Sequence, residues 1–478
     1  MHFITIDGSY GEGGGQIVRT AVSLSAITGK PIQVVNIRAK RDNPGLRAQH
    51  LSAVKAVADL FHAKAENLKV GADWIRFIPP NYSPVHSDSC FSDNNKNNNN
   101  TCSLNNDSSS SDTFEYGMTN IDIGTAGSIP LVLLTIIPAI SLSGINHSLQ
   151  IIGGTDVRYS PTIDYLRYVV RELYARIGIN FSIDILRRGY YPKGGGIVNV
   201  QIRAFNLPST QSATALSQSS YQLDNLNSTI LNNNNNNNKT RISETTKKQS
   251  IVAATTNSTT IIRTPPHKLM KIKIASVCSE LLPRHVAERQ LSAAISNLAK
   301  NGVNIIHDGD NDNDNGSHFQ YSSYGDGLLT ATTESSLSPG SSILVFSTST
   351  SRNDHNGWYI GADSIGEKGK RAETVGIEAS NRFLENYLKN VSIDYFLADL
   401  SIVPFSLIKG RSRFRVAKIT EHLKTNLHVA SRIADGCKYS IEDVSSFSNT
   451  ASANMKENGG GVVAVRDGYI VNIDSTPR

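Results

Sequence analysis

The feature that most constrains this chain is an alternation of strand-like and helix-like segments joined by glycine-rich turns. "HFITID" has the pattern of a β-strand, and "GQIVRTAVSLSAITG" has that of an amphipathic helix ended by Gly29. The glycine-rich turns are "GEGGGQ", "GTAGSIP" and "PKGGGIV". Their recurrence predicts a structural repeat in which helices pack on sheets, so we expect an α/β (α+β) fold.

The alternation continues through the first two hundred residues. "IQVVNIR" and "SLQIIGG" are predicted strands, and "RAQHLSAVKAVADLF" is a predicted helix. A further helix is predicted from Pro161 to Gly178, because proline favours a helix start and glycine a helix end. The most apolar run, "IPLVLLTIIPAI", is too short to span a bilayer, so we expect a buried core helix there and no membrane partner.

Polar low-complexity tracts interrupt the pattern. Runs such as "NNKNNNN" and "NNNNNNN" cannot bury enough apolar surface to offset chain entropy, so they are predicted to be insertions in surface loops. After the second tract the strands and helices form a smaller α+β unit, which is most simply inserted into a larger domain. The predicted limits are a large domain over 1–203 with an insertion at 87–114, a small domain over 204–391 with a disordered segment at 209–260, and a return to the large domain over 392–478.

Overall charge says little about partners, but local charge is more informative. The net charge of the 478 residues is +6, whereas basic residues cluster in "IRAKRDNPGLRAQH" and "IKGRSRFRVAKITEHLK". Such clusters are typical of proteins that bind polyanions, and the alternative is an ordinary solvated basic surface. The four cysteines show no C-x-x-C spacing, and no signal peptide precedes "HFITIDG". We therefore expect a cytoplasmic protein, with a nuclear location left open.

The first glycine-rich turn places Glu12 among glycines at the start of a predicted helix. Glycines at that position let backbone N–H groups converge on an anion, yet the lysine of a P-loop is missing. Gln16 and Arg19 share a helix face and could present an amide and a guanidinium to a phosphate. Glu12 could hold a divalent cation beside that phosphate. The alternative is a tight strand-to-helix turn in which the glycines serve geometry only.

Two further segments offer polar side chains for the same site. Arg38, Arg41, Gln49 and His50 could reach the glycine-rich turn if the strands are adjacent, and arginine suits bidentate phosphate contact. A lone His50 could equally be a capping or packing residue. His422 follows the densest basic stretch, where neighbouring cations lower the pKa of a histidine and favour a neutral, nucleophilic imidazole. The alternative is an ordinary histidine, since the chain has 12.

These motifs carry a resemblance to a known family. "IDGSYGEGGGQIVR", "IRAKRDNPGLRAQHL", "GTAGS", "GGTD", "RGYYPKGGG", "PRHVAER", "FLAD" and "EHLKTN" occur in the same order as in the RNA 3'-terminal phosphate cyclase family. The chain resembles that family over nearly its whole length apart from the low-complexity insertions. The resemblance implies a large domain of repeated helix-on-sheet units with a smaller α/β domain inserted into it.

The resemblance also implies a reaction. An RNA 3'-phosphate end would be converted to a 2',3'-cyclic phosphodiester with ATP and a divalent cation, Mg²⁺ or Mn²⁺. AMP would pass to a histidine and then to the RNA 3'-phosphate, and attack by the 2'-hydroxyl would expel AMP, with diphosphate released in the first step. The enzyme would thus be a ligase that forms a phosphoric ester bond. The alternative is a catalytically silent relative that acts in ribosomal RNA processing and lacks the nucleophilic histidine.

Site residues follow from the resemblance position by position. His422 matches the adenylated histidine, and Glu12 matches a glutamate near the ATP phosphates and the metal. The expected ATP-binding residues are Glu12, Gln16, Arg19, Pro161, Phe396, Leu397, Ala398 and Asp399, and the expected RNA- and phosphate-binding residues are Arg38, Arg41, Gln49 and His50. Pro161 and Phe396 would sandwich the adenine. The chain departs from the family at Leu400 and Leu134, where many members have glutamine.

Overall fold

The computed structural model describes residues 2–80, 117–124, 126–206, 259–261, 270–303, 329–349, 357–444 and 468–475. The insertion predicted at 87–114 lies outside these residues. So does the segment predicted to be disordered at 209–260, except for its last two residues, which belong to a strand. Within the described residues, no helix has both the length and the apolar character that a membrane crossing needs.

The first repeat has the order strand, helix, strand, helix, strand, strand. Its elements are β1 (Ile4–Asp7), α1 (Gln16–Thr28), β2 (Ile32–Val35), α2 (Ala48–Leu60), β3 (Lys64–Glu66) and β4 (Ile75–Ile78). β1 and β2 are parallel, β4 runs antiparallel to β2 and β3, and the sheet order is β1-β2-β4-β3. The helix predicted in the first repeat does end at Gly29, which adopts the left-handed conformation that favours glycine.

The second repeat has the same plan. Its elements are β5 (Gly117–Asp122), α3 (Ile129–Leu142), β6 (His147–Gly153), α4 (Ile163–Tyr165), a π-helical turn (Leu166–Val170), α5 (Arg171–Arg176), β7 (Phe181–Arg187) and β8 (Gly196–Ile202). The sheet order β5-β6-β8-β7 reproduces that of the first repeat, again with one parallel pair. The predicted core helix is α3, and the helix predicted from Pro161 to Gly178 is present with a π-helical turn inside it.

A smaller unit follows the short strand β9 (Thr259–Ile261). It contains β10 (Lys273–Ser279), α6 (His285–Lys300), β11 (Leu329–Glu334), β12 (Ser341–Thr348), β13 (Tyr359–Ile365) and α7 (Ala372–Tyr387). Its sheet has the order β11-β10-β12-β13, with α6 and α7 packed together against it. Leu291, Val345 and Phe383 belong to its own hydrophobic core.

The third repeat is completed after the small unit. Its remaining elements are α8 (Tyr395–Leu400), α9 (Ile402–Leu407), β14 (Gly410–Val416), α10 (Glu421–Ile433), β15 (Lys438–Asp443) and β16 (Tyr469–Ser475). β9 pairs in parallel with β14, and the order β9-β14-β16-β15 matches the other two sheets. β9 thus belongs to a sheet of the large unit, although it lies inside the range 204–391 predicted for the small domain.

The position of the small unit follows from this repeat. A glycine-rich loop joins the first strand to the first helix in repeats one and two, and its described residues are 8–15 in the first and 123–124 and 126–128 in the second. In the third repeat the small unit stands at the equivalent point, between β9 and α8. The third predicted glycine-rich turn, "PKGGGIV", is present but does not open a strand–helix unit, because Gly194 and Gly195 form a tight turn with positive φ that leads from β7 into strand β8.

One hydrophobic core joins the three repeats. Ile17 of α1, Leu133 of α3 and Leu427 of α10 are fully buried in it, and α1 packs directly on α10 and α3. The N-terminal and C-terminal repeats therefore share a helix–helix interface. Cys278 and Cys437 are buried free thiols.

Candidate active site

The glycine-rich loop between β1 and α1 lies along helix α10. The ring of Tyr10 stacks on that of His428, with centroids 4.0 Å apart and planes within 10°. At Gly11 the backbone comes so close that a Cβ there would lie 2.7 Å from Thr425 Oγ1. Gly11 also has a φ of 59°, so a side chain is excluded on both conformational and steric grounds. The glycines thus let the loop lie directly on the helix.

The next residue of this loop, Glu12, lies close to His422. His422 lies in the first turn of α10, and its Nε2 is 3.6 Å from Glu12 Oε2. Its other ring nitrogen, Nδ1, is 3.8 Å from Asp399 Oδ2 at the end of α8. The imidazole is 45% exposed, so a substrate can reach it. One carboxyl group therefore stands near each ring nitrogen, and the two come from opposite ends of the chain.

A chain of hydrogen bonds holds Asp399 in place. Thr420 Oγ1 donates to Asp399 Oδ1 at 2.5 Å, and the Nδ2 of Asn426 donates to the Asp399 carbonyl at 2.8 Å. Asn426 in turn accepts a 2.9 Å hydrogen bond from Thr20 of α1. Thr420 also caps α10 by accepting from the N–H of Leu423 at 2.9 Å. Burial raises the pKa of Asp399 well above its usual value, against the hydrogen bond from Thr420, which lowers it.

The electrostatic surroundings favour a neutral His422. Burial lowers its pKa from the usual 6.5, the Glu12 carboxylate raises it, and Arg19 and Arg41 lower it. The net shift is downward, so the imidazole is uncharged near neutral pH. A proton on Nδ1 would face Asp399 and leave the Nε2 lone pair on the side of Glu12 and the arginines.

The arginines differ in their contacts. Arg41 Nη2 lies 3.0 Å from Glu12 Oε2, which makes an ion pair inside the site. Arg38 points back into its own loop, where Nη1 donates to the carbonyls of Asn43 at 2.5 Å and Gly45 at 3.2 Å. Arg19 is half-buried, burial lowers its pKa to about 10, and it has no ion pair within the part of the chain that the structure describes. A desolvated guanidinium without a partner is suited to an incoming anion.

His50 has the geometry of a helix cap. Its side chain is 3% exposed, and Nδ1 accepts a 3.2 Å hydrogen bond from the N–H of Arg47 at the start of α2. The other nitrogen, Nε2, packs against the loop so closely that a Cβ on Gly15 would lie 2.0 Å from it. Burial first, and then Arg19, Arg38 and Arg47, lower the pKa of His50 to about 3. The neutral imidazole packs against the glycine-rich loop and caps α2, as the capping alternative predicted.

Gln16 is the first residue of α1 and is also buried. Its Oε1 packs so closely on Gly14 that a Cβ there would lie 1.9 Å away, and its Nε2 has no hydrogen-bond partner in the described residues. A buried amide donor without a partner costs free energy unless a ligand satisfies it. The first turn of α1 carries no acidic residue, so its positive dipole end is not neutralised locally. Gln49, by contrast, is half-buried on α2.

The segments proposed for adenine binding are tied together by one buried carboxylate. Asp394 caps α8 by accepting from the N–H of Leu397 at 2.9 Å, and it accepts the hydroxyl of Tyr165 at 2.8 Å. This bond joins the chain that follows Pro161 to the helix that carries Phe396. Phe396 is 44% exposed, so its ring face is available.

The remaining residues near α8 pack into the core. Leu397 and Ala398 are 0% exposed, so neither their side chains nor their backbone is open to a nucleotide here. Leu400 and Leu134 pack against the main hydrophobic core. The two departures from the family pattern therefore fill apolar positions here.

The second basic cluster is largely neutralised. Its ion pairs are Arg411 with Asp474 at 2.6 Å, Arg413 with Glu442 at 3.9 Å, Lys418 with Glu385 at 3.0 Å and Lys424 with Glu421 at 2.7 Å. Two of these pairs cross between strands of the third sheet. The cluster is thus closer to the solvated-surface alternative than to a free polyanion surface.

No all-protein metal centre occurs in the described ranges, where no three His, Cys, Asp or Glu side chains converge. Glu12 is a lone exposed carboxylate on the loop, and Mg²⁺ is often held by one or two carboxylates together with substrate phosphates. The donor set therefore fits a cation that arrives with a nucleotide and not one held by the protein alone.

Sequence reasoning missed the residues that position the histidine. Thr420 and Thr20 lie just outside the quoted family motifs, and Asn426 ends the motif "EHLKTN" but was given no role. Thr420 alone carried a usable signal, because a threonine directly before an acidic residue and an apolar-periodic run is a typical N-cap. Asn426 and Thr20 become recognisable only once α1 is packed on α10.

Comparisons with known proteins agree on one family. A family model described as RNA 3'-terminal phosphate cyclase matches residues 10–441. A protein named RNA 3'-terminal phosphate cyclase from Pyrococcus furiosus is 34% identical over 429 residues, which cover 90% of this chain and 92% of the relative. Its namesake from Pyrobaculum aerophilum is 32% identical over 427 residues, which cover 89% and 91%. That from Ignicoccus hospitalis is 34% identical over 429 residues, with 90% and 92% covered.

Proposed function

Because the chain belongs to the RNA 3'-terminal phosphate cyclase family, we propose that it uses ATP to convert an RNA 3'-phosphate into a 2',3'-cyclic phosphodiester. The observation that carries the proposal is the neutral His422, set between Glu12 and Asp399 and beside Arg19 and Arg41. A nucleophile, an orienting group and cations for phosphate charge are the parts that nucleotidyl transfer needs.

The proposed reaction has three steps. Nε2 of His422 attacks the α-phosphorus of ATP, so an N–P bond forms and the bond to diphosphate breaks. An oxygen of the RNA 3'-phosphate then attacks the same phosphorus, which releases the histidine and forms an RNA–diphosphate–adenosine link. The adjacent 2'-hydroxyl loses its proton, attacks the 3'-phosphorus and expels AMP. This last step is accelerated by proximity, because both reacting groups belong to one ribose.

Asp399 is proposed to orient the nucleophile. With Nδ1 directed toward Asp399, the lone pair of Nε2 faces the phosphate side of the site. When the N–P bond forms, the imidazole gains positive charge, and a carboxyl group 3.8 Å away can stabilise it. The hydrogen bond from Thr420 keeps that carboxyl group in position.

The phosphates of ATP are proposed to lie at the N-terminus of α1. The half-buried guanidinium of Arg19 and the unsatisfied Nε2 of Gln16 supply donors there, and the dipole of α1 adds to them. Arg41 contributes a further cation next to Glu12. Arg38, Gln49 and His50 are proposed to serve the adjoining RNA phosphate, with Arg38 and His50 shaping the loop that would receive it.

Glu12 would hold a divalent cation, Mg²⁺ or Mn²⁺, together with the ATP phosphates. Such an ion neutralises phosphate charge and assists departure of the leaving group. The adenine is proposed to stack between Pro161 and the exposed face of Phe396, whose segments are joined by the Tyr165–Asp394 hydrogen bond. Leu397 and Ala398, which are fully buried, support this segment of α8, and the carboxyl group of Asp399 completes this side.

The test is transfer of labelled AMP from α-labelled ATP to the protein in the presence of Mn²⁺. We expect an acid-labile, base-stable adduct that is absent in His422→Ala, as phosphoramidates of histidine behave in this way. His428→Ala is the matched control, because His428 lies on the same helix outside the proposed nucleophile position. A protein that takes up no label would contradict the mechanism and favour the silent alternative. Equal label in His422→Ala would also contradict the mechanism, because the AMP would then be bonded to another residue.

A second assay addresses the RNA step. RNA ending in a 3'-phosphate should be cyclised, whereas the same RNA ending in a 3'-hydroxyl should not. Resistance of the product end to phosphatase is a simple readout. Cyclisation that proceeds equally without ATP would overturn the proposal.

A further inference from the structure

Three aromatic side chains form a partly exposed surface beside the proposed active site, here called the aromatic step: Tyr10, His428 and Tyr439. Tyr10 and Tyr439 are 41% and 40% exposed, and His428 is half-buried beneath Tyr10. Helix α10, which carries His428, contacts strand β15, which carries Tyr439. Partial burial and the nearby Tyr10 raise the pKa of Tyr439, in agreement with this placement. The step therefore presents ring faces to solvent.

The aromatic step lies along helix α10 from the proposed nucleophile, His422. His428 follows His422 by six positions on α10, which corresponds to about 9 Å along the helix axis. Tyr10 precedes Glu12 by two residues on the loop that lies along this helix. A substrate bonded to His422 through its terminal phosphate can thus reach the step with the nucleotides that precede that phosphate.

Cations flank the path between the two. Lys424 lies one helical turn before His428 and is 52% exposed, although it also pairs with Glu421. Lys40 Nζ donates to the carbonyl of Gly11 at 3.1 Å, next to Tyr10. Exposed ring faces alternating with lysines match the composition of surfaces that bind single-stranded nucleic acid, where bases stack on aromatics and cations follow the backbone.

The exposure of strand β15, which carries Tyr439, favours a bound ligand at this surface over packing inside the protein. Every residue of β15 is exposed, and β15 is the outer strand of its sheet. Tyr439 and the 36%-exposed Ile441 lie on the same side of this strand. Within the described residues, large apolar side chains are thus left in solvent at a sheet edge that helix α10 contacts, where an RNA strand would cover them.

We propose that the unpaired bases at the 3' end of the RNA stack on the aromatic step, so that the protein binds a single-stranded end and not the terminal phosphate alone. This inference rests on the proposed function, because it takes RNA as the substrate of His422. It predicts that an RNA duplex with an unpaired 3' overhang is a better substrate than a blunt duplex with the same terminal phosphate.

The test compares Tyr439→Leu with Tyr439→Phe in cyclisation assays. Leucine keeps apolar bulk and removes the ring, whereas phenylalanine keeps the ring, so only loss of stacking separates them. We expect Tyr439→Leu to raise the KM for an overhanging 3'-phosphate RNA by about fivefold or more, with kcat nearly unchanged and Tyr439→Phe close to wild type. The pair Tyr10→Leu and Tyr10→Phe should behave in the same way.

The blunt duplex separates this inference from the proposed function. The Tyr439→Leu and Tyr10→Leu variants should lose the preference for the overhang while still taking up AMP from ATP alone. If the wild-type protein cyclises both duplexes equally well, or if the leucine variants keep the preference, the aromatic step does not bind RNA. If the wild-type protein takes up no AMP, the proposed function fails. The inference can then still be decided by comparing how tightly the wild-type protein and the leucine variants bind labelled overhang RNA.

Discussion

Glu12 and His422 lie near opposite ends of the chain, yet Oε2 of one is 3.6 Å from Nε2 of the other. The contact exists because glycines bring the loop after β1 onto the first turns of α10. Side chains of the N-terminal repeat therefore act electrostatically on His422, and several measurable properties depend on this contact.

The first prediction concerns pH. Burial and the arginines lower the pKa of His422 below 6.5, so AMP transfer should be constant near neutral pH and fall at an acidic midpoint below 6.5. Glu12 raises this pKa, so Glu12→Gln should move the midpoint to lower pH. Arg41 lowers it, so Arg41→Gln should move the midpoint to higher pH. Single-turnover rates from pH 5 to pH 8 would show both shifts, and shifts in the same direction would contradict the geometry.

The second prediction concerns the metal. Glu12→Ala should raise the Mn²⁺ concentration needed for half-maximal AMP transfer, by about tenfold if the carboxylate is a direct ligand. A metal titration at fixed ATP measures this, and chelation should abolish transfer in both proteins.

Glu421→Ala is the control for the metal titration, because Glu421 is a nearby carboxylate of α10 that pairs with Lys424. It should titrate like wild type. If Glu12→Ala has the same metal dependence as wild type, the carboxylate serves the loop and Arg41 and not a cation.

The third prediction concerns Thr420, which both caps α10 and donates to Asp399. Thr420→Val removes both interactions at nearly constant volume, and the lost cap should cost about 1 kcal/mol of unfolding free energy. The rate of AMP transfer should fall as well, because Asp399 is no longer fixed beside Nδ1. Thr420→Ser keeps the hydroxyl group and should restore both. A valine variant that is less stable but fully active would confine Thr420 to capping.

The fourth prediction concerns the carboxylate that joins α4, β13 and α8. Asp394 accepts from the Tyr165 hydroxyl and also from the N–H groups of Leu397 and Gly361. Tyr165→Phe removes a hydrogen bond to a buried carboxyl group and should cost about 2 kcal/mol of unfolding free energy.

Tyr174→Phe is the matched control for this measurement. The Tyr174 hydroxyl donates to the neutral carbonyl of Leu400 at 2.8 Å, so its loss should cost only about 1 kcal/mol. Denaturant unfolding of the two variants tests the difference. Equal losses of unfolding free energy would mean that the hydrogen bond to Asp394 is no stronger than one to a neutral carbonyl. A raised KM for ATP in Tyr165→Phe alone would support a part of this hydrogen bond in shaping the adenine site.

Much of the fold could be predicted because local signals were strong. The helix that ends at Gly29 and the apolar helix α3 followed from periodicity and composition. The third repeat could not be recognised in the same way, since its first strand has only three residues and a whole unit separates β9 from α8. The "PKGGG" turn misled because glycines mark tight turns of every kind, including those that lead into strands.

The site was predictable only in part, for a different physical reason. Side chains that would contact phosphate, such as Arg19 and His422, belong to motifs with a recognisable pattern. Side chains that position them, such as Thr20 and Asn426, act through contacts between α1, α8 and α10. The motif "EHLKTN" includes Asn426, but no local pattern reveals those contacts.

The order of strands in the third sheet has a consequence for how the protein is made in the cell. β16, residues 469–475, lies between β14 and β15, so neither neighbour has its full set of backbone partners until that segment has left the ribosome. Helix α10, which packs on this sheet and carries His422, cannot be firmly seated before then. During translation His422, the proposed nucleophile, thus reaches its final position only after β16 has emerged, and a chain that stops before β16 should show no AMP transfer.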